Sequence, residues 1–506
     1  MMHQLDLLAD FIRTLFAPLS DAITALVPTE LLNDYLMSLP AITLVVFAGI
    51  ALLVGLRYNP LPVSFIGVIL ATVEMVLFEP DVLGGSSFGG LFVRDAFGDF
   101  FIYIILMVAF LVLMSTTLYG GNKGPYNFLL MVSFAGAIWV VMATDFVGLF
   151  MAWELMSTPT YMLVALSPHR EGIDGATKYF VMGLLSTSLM LLGITLVYGV
   201  TGTTALSEVG TQVAIIWASP YGVENAAYTL LLAMVLFIVA FGFKVGIFPG
   251  WQWVPDAYAS ADGSVTGYLA GGSKKTGVSA LIRIMMVAFL VAKTEWMPLI
   301  VAVAILTMVI GNVLALAQKD IMRMLAYSSI AMMGYLFIGL AVGTEYGAAA
   351  AIFHAFTHAL TKTAAFILIW AMSVRLAKRI KYDDLAGLSK RSPLAALTLT
   401  VFVLSLAGMP LTVGFYSKIL LFHSAAVAGL WWLALIGIIN SVFSLGYYLR
   451  VLKYSYFMEP KEKGKLVLAR IPMAAVVLCF VAVVGLFLYA DLILPYAFEA
   501  AQALLS

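Results

Sequence analysis

The chain has 506 residues, 63% of them hydrophobic and 11% charged, with a mean hydropathy of +1.03. Soluble globular proteins carry roughly 45 to 50% apolar and about 25% charged residues, so the composition excludes that class and indicates a polytopic membrane protein. Lys plus Arg equal Asp plus Glu at 27 each, so net charge gives no sign of a nucleic-acid partner and none is expected.

In chain order, the first forty residues are the least clear. Asp6, Asp10, Arg13 and Asp21 interrupt the apolar run, so residues 1–39 read as an interfacial or marginal membrane segment and not a cleaved signal peptide. About fourteen apolar segments of spanning length follow, each needing about 20 residues to cross the hydrocarbon. Segments one to three fall at roughly 40–56, 61–79 and 100–118, and segments four to eight at roughly 126–143, 145–166, 174–200, 228–248 and 263–292. Segments nine to thirteen are expected at roughly 297–317, 324–342, 346–375, 393–422 and 427–452, and segment fourteen at roughly 470–495. Cys479, the lone cysteine, reads as a small apolar residue of that last segment, and it excludes an internal disulfide or a Cys-ligated cluster.

Basic residues in short loops mark the cytoplasmic side. Loops after odd-numbered segments carry Arg57, Lys123, His169 with Arg170, Lys319 with Arg323, the cluster from Arg375 to Arg391, and Lys453 to Lys465. Loops after even-numbered segments carry Glu79 and Asp81, Asp145, Glu208 and Glu224, and Glu345. The loop after segment seven breaks the pattern, with only Asp256. This distribution places both ends of the fourteen-segment unit outside, in a multi-pass protein of the plasma membrane.

Segment seven ends Phe241-Gly-Phe-Lys-Val-Gly-Ile-Phe-Pro-Gly250 and segment twelve holds Ala407-Gly-Met-Pro-Leu-Thr-Val-Gly-Phe-Tyr-Ser-Lys418. Each combines Gly, Pro and a lysine, so each predicts a broken helix, tolerated at membrane depth only where it faces a cavity or other protein. An offset of five segments inverts orientation. Residues 126–292 and 297–452 are therefore expected to form two inverted five-helix repeats, between a leading part at 40–125 and a C-terminal loop and helix at 453–506.

Charges at membrane depth cost several kcal/mol on most scales and usually serve an ion or proton path. Glu154 sits mid-segment, too far from either surface to snorkel, and reads as a functional group or half of a structural ion pair. Lys244 lies nearer the cytoplasmic end of its segment and could snorkel, or pair switchably with Glu154. The run Ala270-Gly-Gly-Ser-Lys-Lys-Thr-Gly277 places Lys274 and Lys275 in segment eight; Lys274 is favoured as a central proton site and Lys275 stays undecided. His354, His358 and Lys362 follow at i, i+4 and i+8, within about 80 degrees and about 12 Å along one helix face. Two histidines at that spacing also suit a metal, but no Glu follows His354 and a lysine would repel a cation, so the row reads as a proton relay with Thr357, Thr361 and water. Lys418 follows the Pro410 break and reads as a path residue or an interfacial lysine. Glu74, Asp145 and Arg283 read as structural or mouth residues.

These motifs resemble the antiporter-like membrane subunits of respiratory complex I and its relatives, which include multisubunit cation/proton antiporters and membrane-bound hydrogenases. The resemblance runs from roughly residue 100 to 455. Trp253-Val-Pro-Asp-Ala-Tyr258, Val265-Thr-Gly-Tyr268, Gly272-Ser-Lys-Lys275, Tyr327-Ser-Ser-Ile-Ala331 and the run from Leu404 to Lys418 are similar to the chain N type. The resemblance implies that Glu154 and Lys244 are the gating pair for proton uptake, Lys274 the central lysine, and Lys418 the lysine of the exit side. The His354, His358, Lys362 row is more typical of the sister chains L and M. Beside a chain N loop it looks like the archaeal branch, including the deazaflavin (F(420)H(2))-dependent dehydrogenases of methanogens.

For function, the resemblance implies a proton-translocating subunit of a complex I-like NADH or F(420)H(2):quinone-type oxidoreductase. Such a subunit would be driven by redox chemistry in other membrane and peripheral subunits, with no cofactor, redox centre or metal expected in this chain. The alternative is a sodium/proton antiporter subunit. Sodium prefers several oxygen ligands, and this row is rich in nitrogen.

Overall fold

A computed structural model describes residues 29–78, 86–167, 170–219, 224–460 and 464–505; the charges at Asp6, Asp10, Arg13 and Asp21 lie outside the described residues. The fold is almost entirely helical, because backbone groups in hydrocarbon must find their partners within the segment. The first layer comprises α1 (Thr29–Val54), α2 (Leu61–Leu77), a two-residue hairpin pairing Ser86–Ser87 with Phe92–Val93, and α3 (Ala96–Ser115). Next come α4 (Lys123–Met142), α5 (Phe146–Ala165), α6 (Arg170–Thr201), α7 (Leu206–Ala218) and α8 (Glu224–Val245). A break leads to α9 (Trp253–Ser260), α10 (Gly263–Tyr268), a π-turn at Leu269–Ser273, and α11 (Lys274–Arg283). The second half holds α12 (Lys293–Ala317), α13 (Ile321–Val342), α14 (Glu345–Leu376), the short α15 (Leu388–Arg391), α16 (Pro393–Ala407), α17 (Val413–Val427) and α18 (Trp431–Leu452). The chain closes with α19 (Arg470–Leu488) and α20 (Leu494–Gln502).

Each apolar segment anticipated from the sequence is helical, and among the described residues ten helices are long and apolar enough to cross a membrane. The remaining segments are shorter, as in α2, α16 and α17, less apolar, as in α5, or interrupted, as in α10 to α11. Three expectations need correction. The stretch after segment seven, read as a loop, forms α9, since Asp256 in its first turn favours a helix N-terminus. The first segment begins at Thr29, not near residue 40, because Pro40 sits inside a continuous helix. Residues 206–218, read as part of a loop, form α7 with one buried edge of Leu206, Val209 and Val213.

Short polar residues start many of these helices by accepting orphan backbone N–H groups. Asp95 caps α3, Asp145 caps α5, Asp262 caps α10, Asp320 caps α13 and Thr344 caps α14. Loops expected on one side meet one another. At the end rich in basic residues, Asp320 bridges Lys381, and Asp256 of α9 pairs with Lys178 of α6 at 2.6 Å and with Arg323 of α13. That double pairing explains why a lone acid stands among basic loops. At the other end Phe92 bridges Ala143, Asp145 bridges Ala205, and Arg283 clasps Asp95 through contacts of 2.6 and 2.8 Å. α13 is buried on all sides and forms the axis on which α12, α14 and α9 pack.

Candidate functional site

Every buried cation in the middle of the bundle is held by neutral oxygen or aromatic groups. Lys244 is 4% exposed and donates to the Tyr179 phenol at 2.6 Å and to Thr160 Oγ1 at 3.4 Å. It also lies 5.4 and 5.0 Å from the ring centroids of Tyr161 and Tyr179, within cation–π range. A small cleft lined by Trp153, Tyr161, Tyr179 and Trp253 opens beside it. Glu154 is half-buried, and its carboxylate accepts from Thr187 Oγ1 at 2.7 Å. Glu154 and Lys244 make no direct ion pair in this structure: α6 offers Thr187 to one and Tyr179 to the other.

Lys274 begins α11 directly after the π-turn, its N–H bonded to the carbonyl of Leu269. π-turns concentrate at functional positions, because the extra residue turns side chains in a direction an α-helix cannot offer. The Lys274 ammonium is 3.5 Å from Ser329 Oγ and 5.1 Å from the Tyr258 ring centroid. Lys275 is fully buried, donating to the Ala270 carbonyl at 3.1 Å and lying 3.9 Å from Met333 Sδ. Lys275, undecided from the sequence, is therefore an inward-facing cation.

On α14 the rings of His354 and His358 lie 6.3 Å apart between centroids, as the i, i+4 spacing requires. His354 Nδ1 is 3.0 Å from Ser417 Oγ of α17, whereas His354 Nε2 and both His358 nitrogens are buried without a protein partner. Buried polar atoms of this kind normally bond ordered water. Lys362 donates to the Leu325 carbonyl at 2.9 Å and to Ser328 Oγ. Lys418 donates to the Ala407 carbonyl at 3.0 Å and to Ser441 Oγ at 2.8 Å, beneath the Tyr335 ring at 4.5 Å. Among the described residues no group of three His, Cys, Asp or Glu gathers as a metal cage.

Glu74, Asp145 and Arg283 fall away from this row. Glu74 accepts from Thr43 at 2.7 Å, Asp145 caps α5, and Arg283 pairs with Asp95. Sequence reasoning missed Tyr179, Thr160 and Ser441, whose only sequence signal is a hydroxyl on an otherwise apolar helix, which many idle residues share; Ser328, Ser329 and Ser417 fell within the quoted motifs but were given no role.

The fold and the row together define a polytopic membrane protein with a core of buried basic side chains. The chain belongs to the NADH:quinone oxidoreductase/Mrp antiporter transmembrane family, whose pattern matches residues 143–444. It is 35% identical over 491 residues to F(420)H(2) dehydrogenase subunit N of Methanosarcina mazei, covering 92% of this chain and 98% of that one. It is 33% identical to NADH-quinone oxidoreductase subunit N of Rhodospirillum rubrum, covering 92% and 97%. Among solved structures, a chain of respiratory complex I from Thermus thermophilus with bound aureothin superposes with a TM-score of 0.76 at 28% identity, covering 90% of this chain and 98% of that one. A chain of the membrane-bound sulfane sulfur reductase, an archaeal respiratory membrane complex, shares the fold at a TM-score of 0.82 and 24% identity, covering 94% and 98%.

Proposed function

We propose that this chain is the N-type proton-translocating subunit of a complex I-like oxidoreductase, of the NADH- or F(420)H(2)-dependent kind. It carries protons while electron transfer proceeds in other membrane and peripheral subunits. The observation that carries the reading is the succession Lys244, Lys274, His354, His358, Lys362 and Lys418, buried without carboxylate partners and including histidine nitrogens with no protein hydrogen-bond partner. Cations held by hydroxyls, carbonyls and rings can lose a proton without abandoning a counter-charge, which suits a relay better than a structural lock.

In this reading the end rich in basic residues faces the cytoplasm, and both ends of the membrane unit lie outside in the plasma membrane. The chain crosses fourteen times, with inverted repeats meeting between α11 and α12. Protons are taken up near Lys244. Lys244 exchanges the Tyr179 phenol for the Glu154 carboxylate, and the displaced charge alters the proton affinity of Lys274. The proton then passes by water along Lys362, His358 and His354 to Lys418, which follows the Ser417 that meets His354, and leaves at the acidic end.

The test is donor-driven quenching of a pH-sensitive dye in vesicles holding the assembled complex. Lys274→Ala lowers the initial rate by about tenfold or more, equivalent to roughly 1.4 kcal/mol of lost transition-state stabilisation, and Glu154→Gln lowers it by less. Wild-type pumping in Lys274→Ala would overturn the reading. Sodium-dependent quenching without electron donor would replace it with a sodium/proton antiporter.

A further inference from the structure

Between Lys362 and the basic end of the bundle runs a line of hydroxyls that the row of buried cations does not use. Lys362 donates to Ser328 Oγ, and Ser328 Oγ shares a 2.7 Å hydrogen bond with the Tyr448 phenol. Ser328 lies about 10 Å inside α13 from its start at Ile321, and Tyr448 lies near Leu452, the last residue of α18. Both of those helix ends face the basic loops, so the line climbs from the core toward that surface. Beyond Tyr448, the Tyr447 ring sits 4.4 Å away between centroids, and the Tyr382 phenol donates to the Tyr447 carbonyl at 3.2 Å. Tyr382 is buried, yet it stands between the exposed Lys381 and Asp383 in the loop after α14. Burial pushes the Tyr382 phenol above its ordinary range, leaving a neutral hydroxyl that both donates and accepts.

A second branch leaves the same cluster but ends differently. The Tyr447 phenol donates to Asn312 Oδ1 at 2.9 Å, and Asn312 Nδ2 donates to Tyr335 at 3.2 Å and to Asn440 Oδ1 at 3.3 Å. A carboxamide passes a proton only through its imidic acid form, so this branch fastens α12, α13 and α18 together. The line through Ser328 and Tyr448 holds hydroxyls alone.

We propose that Tyr448 and Ser328 form a second proton inlet, loading Lys362 from the basic end of the bundle without passage through Lys244 and Lys274. The inlet rests on the proton-translocating function proposed for the chain. In the loading step the neutral Lys362 amine takes the hydroxyl proton of Ser328, and Ser328 takes the phenolic proton of Tyr448. Tyr448 is reprotonated by water arriving past Tyr382. One proton moves inward, only O–H and N–H bonds change, and the hydroxyls then rotate back. The inlet gives each half of the molecule its own loading point.

The test uses the assembled complex in donor-energised vesicles. Tyr448→Phe and Ser328→Ala each lower the initial pumping rate by about threefold or more, and Ser328→Thr recovers it by returning the hydroxyl. Tyr448→Phe also removes the pumping that remains in Lys244→Ala. If Tyr448→Phe and Ser328→Ala pump at the wild-type rate while Lys274→Ala does not, the inlet is overturned and the function stands. If Lys274→Ala also pumps normally, both fall.

Discussion

The two broken helices solve one problem in two ways. Between α8 and α9 the turn rests on Gly246 at φ +74°, and between α16 and α17 on Gly408 at φ +80°. Each glycine has a buried lysine beside it: a Cβ on Gly246 would come 2.5 Å from Val254 Cγ2 and 3.2 Å from Lys274 Nζ, and one on Gly408 would come 2.6 Å from Lys418 Cδ. At the first break the cradled lysine arrives from another helix, and Lys244, on the broken helix itself, reaches a phenol on α6. At the second break the lysine belongs to the broken helix and bonds the Ala407 carbonyl that the break released. The end of a helix carries orphan carbonyls and a partial negative charge, which together hold a cation firmly. Lys418 is anchored to backbone, whereas Lys244 is tied to a side chain that can turn away. The first half is built for exchange and the second for retention.

The comparison breaks most sharply at Lys418. Lys418→Met leaves the Ala407 carbonyl and Ser441 without their charge, and pumping in energised vesicles should fall about tenfold or more; a milder effect than that of Lys244→Met would reverse the assignment of anchor and gate. Next come the glycines. Gly246→Ala and Gly408→Ala combine a left-handed backbone with a collision, and each should cost about 1 to 3 kcal/mol, read as a lower melting temperature or yield of the assembled complex. Gly429→Ala, at φ +81° with open space around its Cβ, carries the strain alone and should cost less. Equal losses for Gly408→Ala and Gly429→Ala would mean that Lys418 is not what the second break accommodates. The smallest effect belongs to Tyr179→Phe, which keeps the ring and removes a hydrogen bond worth about 1 to 3 kcal/mol to a charged donor. It should slow pumping by roughly two- to fivefold while leaving assembly intact, because Lys244 loses its resting partner; no change would show that the phenol plays no part in holding the gate.

The fold class was legible because hydrocarbon tolerates few arrangements, and each of Glu154, Lys244, Lys274, His354, His358, Lys362 and Lys418 stood out against an apolar helix. The breaks were legible too, since Gly and Pro beside a lysine have few other uses at that depth. The partners were not. Tyr179 lies 65 residues from Lys244, Ser329 55 from Lys274, and Tyr448 120 from Ser328. Such contacts follow from packing of α6, α13 and α18, which local patterns do not encode. α9 was missed because eight residues containing Pro255 give too short a period to separate helix from loop. The same holds for Glu154 and Lys244: sequence places both near the core, but only the packing of α6 decides which hydroxyl each one bonds.

The π-turn at Leu269–Ser273 sets an address by counting. Each residue added to a helix rotates everything after it by about 100 degrees, and this turn holds one residue more than an α-turn would. The room for it is local: a Cβ on Gly272 would come 2.8 Å from the Tyr268 ring, and one on Gly271 would come 3.2 Å from the Ala359 carbonyl. Shortening the run by a single glycine would keep every side chain of α11 and yet deliver each to its neighbour's direction, with Lys275 swung toward the place that Lys274 holds over the first break. The chemistry of this helix is thus written as much in the length of the stretch before it as in the lysines it carries.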